Sequence, residues 1–307
     1  MLAFVNTPSA PLPVELREVA EPQAAADEAL VEVHAFSLNR GELFLLAMRP
    51  EGWRLGQDVA GVVVQAAADG SGPQEGTRVV ALVDGGGWAQ RVAAPTARMA
   101  ALPDNVSFAS AATLPVSGLT AMRTVRLGGA LLGRRALITG AAGGVGSFAV
   151  QLAALAGAEV TGVVGRPERA AGLTERGATA TVSTTQEAEG VFDLILESAG
   201  GSSLAGAISK VAPRGTIVMF GNSSRQETPF NLANFVGHAE ARLIAFFIYE
   251  SGTPASMGVD LATLVSLVAS GKLTPEIGLA DSWHNLSRAI TALRDRNVNG
   301  KAVLHID

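Results

Sequence analysis

A glycine-rich turn is the strongest chemical signal in the sequence. Residues 139–146 read Thr-Gly-Ala-Ala-Gly-Gly-Val-Gly, after an apolar segment typical of a strand and before an Ala/Leu-rich segment typical of a helix. Ala141, Gly143 and Gly146 fall where a dinucleotide-binding turn needs small residues. We interpret the turn as a phosphate-binding site at a helix N-terminus, with a purely structural turn as the alternative. The candidate cofactor-binding residues are Ala142, Gly143, Gly144, Val145 and Gly146.

The end of the next predicted strand indicates which dinucleotide is bound. An NAD site usually has an acid there, about 20 residues after the turn, to hold the ribose 2′-hydroxyl. Here the strand ends at Val164 without a carboxylate, and Gly165, Arg166 and Arg169 follow. A guanidinium binds a 2′-phosphate bidentately, whereas a carboxylate would repel it. These residues predict that the cofactor is NADPH. The alternative for Arg166 is an ordinary solvated arginine at the start of a helix.

Residue types on which many alcohol-oxidising sites depend are missing. The chain has no cysteine, which excludes disulfides, thiolate metal sites and a cysteine nucleophile. Its four histidines are scattered, without metal-ligand spacing. The single tyrosine, Tyr249, has Thr253 four residues later, so the Tyr-x-x-x-Lys pair of short-chain dehydrogenases is absent. Because an unactivated alcohol needs a metal or a positioned base, hydride transfer to an already electrophilic acceptor is favoured.

Length and composition bound the architecture that positions these residues. The chain has 307 residues, 48% hydrophobic and 17% charged, which is enough for a large core and gives a prior of two domains. A net charge of −5 and the lack of a basic run disfavour nucleic acid and anionic membranes as partners. Neither a signal peptide nor a bilayer-spanning segment is recognisable, so we expect a soluble, cytoplasmic protein.

Two local patterns divide the chain. The first third is rich in β-branched residues and short turns, which predicts a small, mostly β unit. From Arg135 onward, strands alternate with helices, which predicts a doubly wound parallel sheet. Other segments predict a helix from about Phe108 to Leu127 capped by Ser107, a helix from Pro167 closed by Gly177, and a buried strand over Leu243 to Tyr249.

Further motifs are distributed along nearly the whole chain. They are Asn39-Arg40-Gly41-Glu42, Leu55-Gly56-Gln57-Asp58-Val59-Ala60-Gly61, Gly86-Gly87-Trp88-Ala89-Gln90, Ala111-Ala112-Thr113-Leu114-Pro115, and Asn299-Gly300-Lys301-Ala302-Val303-Leu304. With the glycine turn, they resemble the medium-chain dehydrogenase/reductase superfamily, in particular its zinc-free quinone oxidoreductase branch. The resemblance implies an α/β fold. A GroES-like β domain (residues 1–118 and 256–307) would surround an inserted Rossmann domain (residues 119–255).

Departures from the superfamily's alcohol dehydrogenases bear on metal and catalysis. Asn39 stands where those enzymes have a cysteine, and Gln57-Asp58 stand where they have a His-Glu pair. Amides are poor zinc ligands, so we expect no metal. The resemblance implies four candidate catalytic residues around the position where the alcohol dehydrogenases hold their catalytic zinc. They are Asn39, Phe44, Gln57 and Asp58. Phe44 stands where several quinone oxidoreductases have a tyrosine, which puts a phenolic proton donor in doubt.

Each of these polar candidates also has a structural interpretation. Asn39 and Gln57 are either substrate contacts or buried amides that tie loops together. For Asp58 we favour pairing with an arginine or a backbone N–H over a catalytic role.

The resemblance also supplies further cofactor contacts. It puts Thr120 near the nicotinamide, and backbone at the carboxyl ends of parallel strands, where ligands bind, faces the cofactor. The strand-end candidates are Ser198, Ala199, Gly200, Phe220, Gly221 and Asn222. Phe246 and Phe247 are further candidates, although an edge strand is the favoured interpretation for them. In this family that edge commonly pairs with its mate, so we expect a homodimer.

These observations predict a zinc-independent, NADPH-dependent oxidoreductase that reduces a quinone or an α,β-unsaturated carbonyl compound. Two alternatives stay open. One is an enoyl-thioester reductase of the fatty-acid or polyketide type. The other is a catalytically silent NADPH-binding protein that senses redox state.

Overall fold

A computed structural model of the chain describes residues 1–10 and 12–307, apart from the side chains of Pro254 and Ala255. Two compact units are present: Met1–Leu119 with Gly252–Asp307, and Thr120–Ser251. The strands are β1 (Leu2–Asn6), β2 (Val14–Glu18), β3 (Glu28–Leu38), β4 (Asp58–Gln65), β5 (Arg78–Leu82), β6 (Arg91–Pro95), β7 (Met99–Ala101), β8 (Arg135–Thr139), β9 (Glu159–Val163), β10 (Ala178–Val182), β11 (Phe192–Glu197), β12 (Val211–Met219), β13 (Arg242–Ala245), β14 (Ile277–Ser282) and β15 (Lys301–His305). The α-helices are α1 (Arg40–Met48), α2 (Phe108–Ala112), α3 (Leu119–Arg126), α4 (Gly144–Leu155), α5 (Gly201–Ile208), α6 (Pro254–Ala269) and α7 (Leu286–Arg294).

The first unit is built on a seven-stranded sheet, in the order β14-β15-β3-β4-β5-β7 with β6 paired to β3. Only the β14–β15 pair among these pairings is parallel. The strand register brings distant candidate residues together. Ser37 pairs with Asp58 on one side and with Val303 on the other, and Leu38 pairs with Ala302. The end of β3 therefore lies beside the starts of β4 and β15.

The second unit contains a six-stranded sheet in the order β10-β9-β8-β11-β12-β13, with every pairing parallel. Its central strands are apolar and buried on both faces, as the short continuous hydrophobic runs of the sequence predict. This confirms the predicted doubly wound sheet. Parallel pairing also brings the carboxyl ends of β8, β9, β11 and β12 to one edge.

The predicted helix from Pro167 to Gly177 is wrong. Only a 3-10 turn forms, over Pro167–Ala170, and the following residues run through further turns to Gly177. Gly172 has a left-handed backbone (φ +76°), which interrupts a helix at that point.

The predicted strand over Leu243 to Tyr249 is wrong in its second half. Strand β13 ends at Ala245, and the N–H of Phe246 makes a last bond to the Met219 carbonyl oxygen, at 2.8 Å. Because the partner strand β12 ends at Met219, pairing cannot continue, and the chain turns into a 3-10 turn over Ile248–Glu250.

The predicted helix from Phe108 to Leu127 is present with an interruption. Ser107 caps α2 by accepting from the Ser110 N–H at 3.1 Å, as predicted. A π-helical segment, Leu114–Gly118, separates α2 from α3. Pro115 lies in that segment, and its missing N–H removes a bond of a regular α-helix. In the described part of the chain, no helix combines the length and apolar character that crossing a membrane requires.

Candidate functional site

The predicted glycine turn forms the N-terminus of α4. Gly143 is the N-cap and has no side chain with which to cap the helix. Gly144, Val145 and Gly146 occupy the first helical positions, whose N–H groups have no intrahelical acceptor. Gly143 to Val145 are half-buried, and a Cβ on Gly143 would meet only the Gly140 carbonyl oxygen, at 3.1 Å. The turn is thus an open cradle of N–H donors, which fits a pyrophosphate.

Two arginines follow β9, as the sequence indicates. Arg169 is half-buried and donates from Nη2 to the carbonyl oxygen of Ala142, at 3.3 Å, which places it against the glycine turn. Arg166 is exposed, beside the exposed Gly165, with Nε 3.7 Å from a carboxylate oxygen of Glu168. Both arginines come after the carboxyl end of β9 along the chain. Their contact with a 2′-phosphate stays a prediction.

Glu197, the last residue of β11, shapes the loop that follows it. Its fully buried carboxylate accepts from the N–H groups of Ala199, at 3.0 Å, and Gly200, at 2.9 Å. The N–H of Ser198 donates to Thr139 Oγ1 at 2.8 Å, which ties this loop to the end of β8. Sequence reasoning did not single out Glu197. The signal it missed is a carboxylate directly after the apolar run Leu194 to Leu196.

The loop after β12 packs against the loop after β11. A Cβ on Gly200 would lie 2.2 Å from Asn222 Oδ1, and one on Gly221 would lie 2.9 Å from the Ser198 carbonyl oxygen. Phe220 donates its N–H to the Glu197 carbonyl oxygen at 2.9 Å. The structure therefore brings together the predicted strand-end residues at the carboxyl edge of the parallel sheet.

The other three cofactor candidates lie on different elements. Thr120 is buried on α3, and its carbonyl oxygen accepts from Thr124 Oγ1 at 2.7 Å. Phe246 is buried directly after β13, whereas the side chain of Phe247 is 63% exposed. The two phenylalanines belong to the sheet edge and the turn after it, and a cofactor contact for them stays a prediction.

In the first unit, Asn39 and Asp58 belong to one buried polar cluster. Oδ2 of the fully buried Asp58 accepts from Ser37 Oγ (2.8 Å), Asn39 Nδ2 (2.8 Å) and Lys301 Nζ (3.0 Å). Its Oδ1 accepts from the Val116 N–H at 2.8 Å. Lys301, 2% exposed, also donates to Asn39 Oδ1. The ionic partner of Asp58 is thus a lysine, and the arginine that the sequence suggested is not among its partners in the described residues.

Glu42, which sequence reasoning did not single out, links the segments that carry Asn39 and Gln57. Its carboxyl oxygens accept from the N–H groups of Asn39 (2.7 Å) and Gln57 (3.1 Å). Burial, and then the nearby Asp58 carboxylate, raise the pKa of Glu42 to about 8, so it is protonated at neutral pH. The sequence signal was the Asn-x-x-Glu spacing of a capping box at the start of α1.

Gln57 and Phe44 differ from the other two candidates. The Gln57 backbone is held by the Glu42 bond and by a 2.9 Å bond from the Val83 N–H to its carbonyl oxygen. Within the described residues, its side-chain amide makes no hydrogen bond. Phe44 lies on α1 and is 57% exposed. The structure therefore joins Asn39, Asp58 and the Gln57 backbone in one network, and leaves the Phe44 ring in solvent.

The raised pKa of Glu42 predicts a pH-dependent stability. An acid whose pKa rises on folding stabilises the native state fully below its unfolded value, near 4.5, and that contribution is lost as pH rises through about 8. We expect Glu42→Gln to be less stable than the wild type at pH 5, because the amide retains only one acceptor. The difference should shrink by a few kcal/mol by pH 9, where the wild type carries a buried charge.

Chemical denaturation of both proteins from pH 5 to pH 9 measures this change. Asp69 and Asp281, whose pKa values are lowered by their hydrogen bonds, are common to both proteins, so their titration cancels in the difference. A stability difference that stays constant over this range would contradict titration of Glu42.

The cluster does not fit a catalytic zinc ion. Among residues 1–10 and 12–307, no three or more His, Cys, Asp or Glu side chains are placed to hold a metal. The Oδ1 of Asn39 already accepts from the Lys301 ammonium group, whose charge would repel a cation at this position. Zinc independence stays a prediction, which elemental analysis and activity in the presence of a chelator test.

Two family profiles match the chain, one in each unit. The profile described as alcohol dehydrogenase GroES-like domain matches residues 25–104, and the profile described as zinc-binding dehydrogenase matches residues 144–264. A largely antiparallel GroES-like sheet together with a six-stranded parallel Rossmann sheet is the two-domain architecture of a dehydrogenase or reductase. The chain belongs to the medium-chain dehydrogenase/reductase superfamily, which confirms the resemblance and fold class predicted from its motifs.

Within the superfamily the chain is quinone oxidoreductase-like. It is 29% identical to a quinone oxidoreductase of Pseudomonas aeruginosa, over 95% of either chain. It is 34% identical to the spectinabilin polyketide synthase system protein NorB of Streptomyces orinoci, over 83% of this chain but only 12% of that much longer protein. The solved quinone oxidoreductase of Escherichia coli in complex with NADPH has a TM-score of 0.89 at 23% identity, over 99% of this chain and 100% of that one.

Proposed function

We propose that the protein is an NADPH-dependent reductase of quinones or α,β-unsaturated carbonyl compounds that works without zinc. The observation that carries the proposal is the open cradle at the N-terminus of α4, with Arg169 bonded to the turn at Ala142. It combines N–H donors for a pyrophosphate with a guanidinium group for an additional phosphate. The NADPH bound to the similar Escherichia coli structure supports the same cofactor.

The residues of the first unit support the choice of acceptor. A bound NADPH supplies a hydride, so the protein has to hold and polarise an acceptor that is already electrophilic. Oxidation of an unactivated alcohol requires a metal or a base at the alcohol oxygen. The buried cluster offers an ion pair, Asp58 with Lys301, and an acid that is protonated at neutral pH, Glu42. These groups leave no carboxylate of the cluster free to ligate a metal and hold the backbone around the site, which favours reduction over metal-assisted alcohol oxidation.

The test is NADPH consumption, followed at 340 nm, with quinones, enals, enones and enoyl-CoA esters as acceptors. We expect turnover with at least one quinone or conjugated carbonyl compound, in buffer that contains EDTA. Binding of NADPH without turnover for any acceptor would favour the sensor hypothesis and contradict a reductase.

A thioester-linked substrate is the second candidate. The similarity to a polyketide synthase protein, at 34% identity over most of this chain, favours it. Polyketide and fatty-acid pathways carry their intermediates as thioesters, so the enoyl-CoA arm of the panel separates the two. A kcat/KM for enoyl-CoA well above that for every quinone and enone would select the thioester.

Replacing Arg166 should change the choice of cofactor. A charge-assisted hydrogen bond contributes roughly 1.5–3 kcal/mol, so Arg166→Ala is expected to lower the affinity for NADPH about ten- to a hundredfold. NADH lacks the 2′-phosphate, so its affinity should barely change. If Arg169 shares the phosphate, only the double substitution shows the full loss. The measurement is a pair of titrations, with NADPH and with NADH.

Arg134→Ala is the matched control for this experiment. Arg134 is also surface-accessible, but it pairs with Asp193 at 2.9 Å and directly precedes β8, at the amino edge of the parallel sheet. Neither affinity should change in this variant. Equal losses of NADPH and NADH in Arg166→Ala would assign that arginine to the fold, and a wild-type preference for NADH would contradict the cofactor assignment.

We also propose a homodimer formed through the edge of the parallel sheet. Strand β13 pairs with β12 on one side and, within the described residues, has no strand on the other. Phe247, two residues beyond it, is 63% exposed. An unpaired edge with exposed apolar side chains favours pairing with a second copy, which sedimentation of the protein tests.

A further inference from the structure

The side chains of Asn39 and Asp58 are occupied by one another and by their neighbours. Asn39 Oδ1 accepts from Lys301 Nζ and from Ser117 Oγ (3.4 Å), while its Nδ2 donates to Asp58. Asp58 accepts four hydrogen bonds. A substrate could bind these groups only by breaking bonds inside a buried network, which is costly. Their geometry assigns them to support of the site.

Gln57 has the opposite arrangement, with a fixed backbone and an unused amide. Its N–H and C=O are bonded to Glu42 and Val83, and the residue is only 8% exposed. Its amide oxygen and nitrogen make no hydrogen bond within the described residues, and neither belongs to the solvent-sealed polar atoms that lack a partner there. The small exposed area therefore includes the amide end. A rigid stem that presents an unpaired donor is what a preorganised ligand contact requires.

We propose that the side-chain amide of Gln57 donates a hydrogen bond from Nε2 to the carbonyl oxygen of the electron acceptor. The inference rests on the proposed reductase function and names the group that recognises its substrate. In the reduction of an enone, a hydride from NADPH, which is oxidised to NADP+, would form a C–H bond at the β carbon while the π electrons shift toward the carbonyl oxygen. The resulting enolate takes one proton from water at its α carbon, which completes the two-electron reduction.

The developing charge explains why this contact would accelerate the reaction. The carbonyl oxygen becomes more negative as the C–H bond forms, so an N–H donor on a residue with a fixed backbone stabilises the transition state more than the bound substrate. In a quinone the electrons also end on oxygen, so the same donor serves both acceptors. With Glu42 protonated and Asp58 paired to Lys301, the cluster behind Gln57 has no net charge, which suits a neutral carbonyl compound.

Gln57→Leu tests the contact, with Gln65→Leu as the matched control. Gln57 directly precedes β4 and Gln65 ends it on the exposed surface, so the same chemical change is made at opposite ends of one strand. We expect kcat/KM for the best quinone or enone to fall at least tenfold in Gln57→Leu, mainly through kcat. Gln65→Leu should keep the wild-type value. The Kd for NADPH should be the same in all three proteins.

The outcomes separate this inference from the proposed function. A wild type that consumes no NADPH with any acceptor contradicts the proposed function itself. An active wild type with an equally active Gln57→Leu variant overturns the role of Gln57 and leaves the function standing. A loss of NADPH affinity that matches the loss of kcat/KM also overturns it, because it indicates a structural role. If Gln57→Leu does not fold, Gln57→Met, which is unbranched and as long as glutamine, carries the same expectation.

Discussion

Replacing Lys301 with methionine is expected to lower the free energy of unfolding by about 3–5 kcal/mol. The substitution removes the ammonium group that pairs with the fully buried Asp58 at 3.0 Å and leaves that carboxylate uncompensated. It also removes a donor to Asn39 Oδ1. Methionine fills a similar volume, so the loss reports the charge and the hydrogen bonds more than a cavity.

Tryptophan fluorescence during urea denaturation measures this loss selectively. The three tryptophans, Trp53, Trp88 and Trp283, all lie in the first unit, together with the cluster. Lys272→Met is the control, because Lys272 is exposed in the same unit and a surface substitution should stay within about 0.5 kcal/mol. A Lys301→Met loss as small as that of the control would contradict a tightly coupled pair.

The double variant Lys301→Met with Asp58→Asn tests whether the charge is the cause. An asparagine keeps an acceptor for the Val116 N–H but carries no charge, so the double variant should be more stable than the sum of the two single losses implies. Additive losses would show that the two residues stabilise the unit independently. Coupling would show that Lys301 is there to neutralise Asp58.

Gly146→Ala is expected to abolish measurable NADPH binding, with a weakening of at least a hundredfold. A Cβ at this position would lie 2.1 Å from the Gly140 carbonyl oxygen and 2.8 Å from the Ala141 Cα, so the backbone of the turn has to open. Opening it displaces the N–H donors at the start of α4 and costs about 1–3 kcal/mol of stability. Titration with NADPH and thermal unfolding followed by circular dichroism measure the two effects.

Gly143→Ala separates the cofactor role of the turn from its structural role. Its Cβ would meet only the Gly140 carbonyl oxygen, at 3.1 Å, so we expect a folded protein of nearly wild-type stability whose NADPH affinity falls about tenfold, since the methyl group enters the cradle. Gly41→Ala, with nothing within 4 Å of its Cβ, is the control and should match the wild type in NADPH affinity. Unchanged NADPH affinity in both Gly143→Ala and Gly146→Ala would contradict a cofactor site at this turn.

The buried cluster explains how Asn39 and Gln57 are held in place in the first unit. Lys301 neutralises Asp58, Asp58 and Lys301 orient the Asn39 amide, and protonated Glu42 holds the Asn39 and Gln57 backbones. A positively charged lysine beside Asn39 opposes metal binding there. It is compatible with a site that binds a neutral acceptor.

Sequence patterns predicted the local structure well where local interactions decide it. The glycine turn and the Ser107 cap appear as expected, because small residues and cap side chains act over a few neighbours. The pattern was misleading for Pro167 to Gly177 and beyond Ala245. There, a left-handed glycine and the end of a partner strand set the boundary.

By itself, the sequence determined the superfamily, the two kinds of sheet and the glycine turn at the start of α4, since each depends on residues that are close along the chain. Only the tertiary structure decided the buried network, because Lys301 is 262 positions from Asn39 and 243 from Asp58. In a sequence, a buried lysine or glutamate cannot be told from a solvated one. The register of the β-strands buries Lys301 and Asp58 side by side, and burial makes their charge pairing necessary. Helix α1 buries Glu42, and this burial raises its pKa.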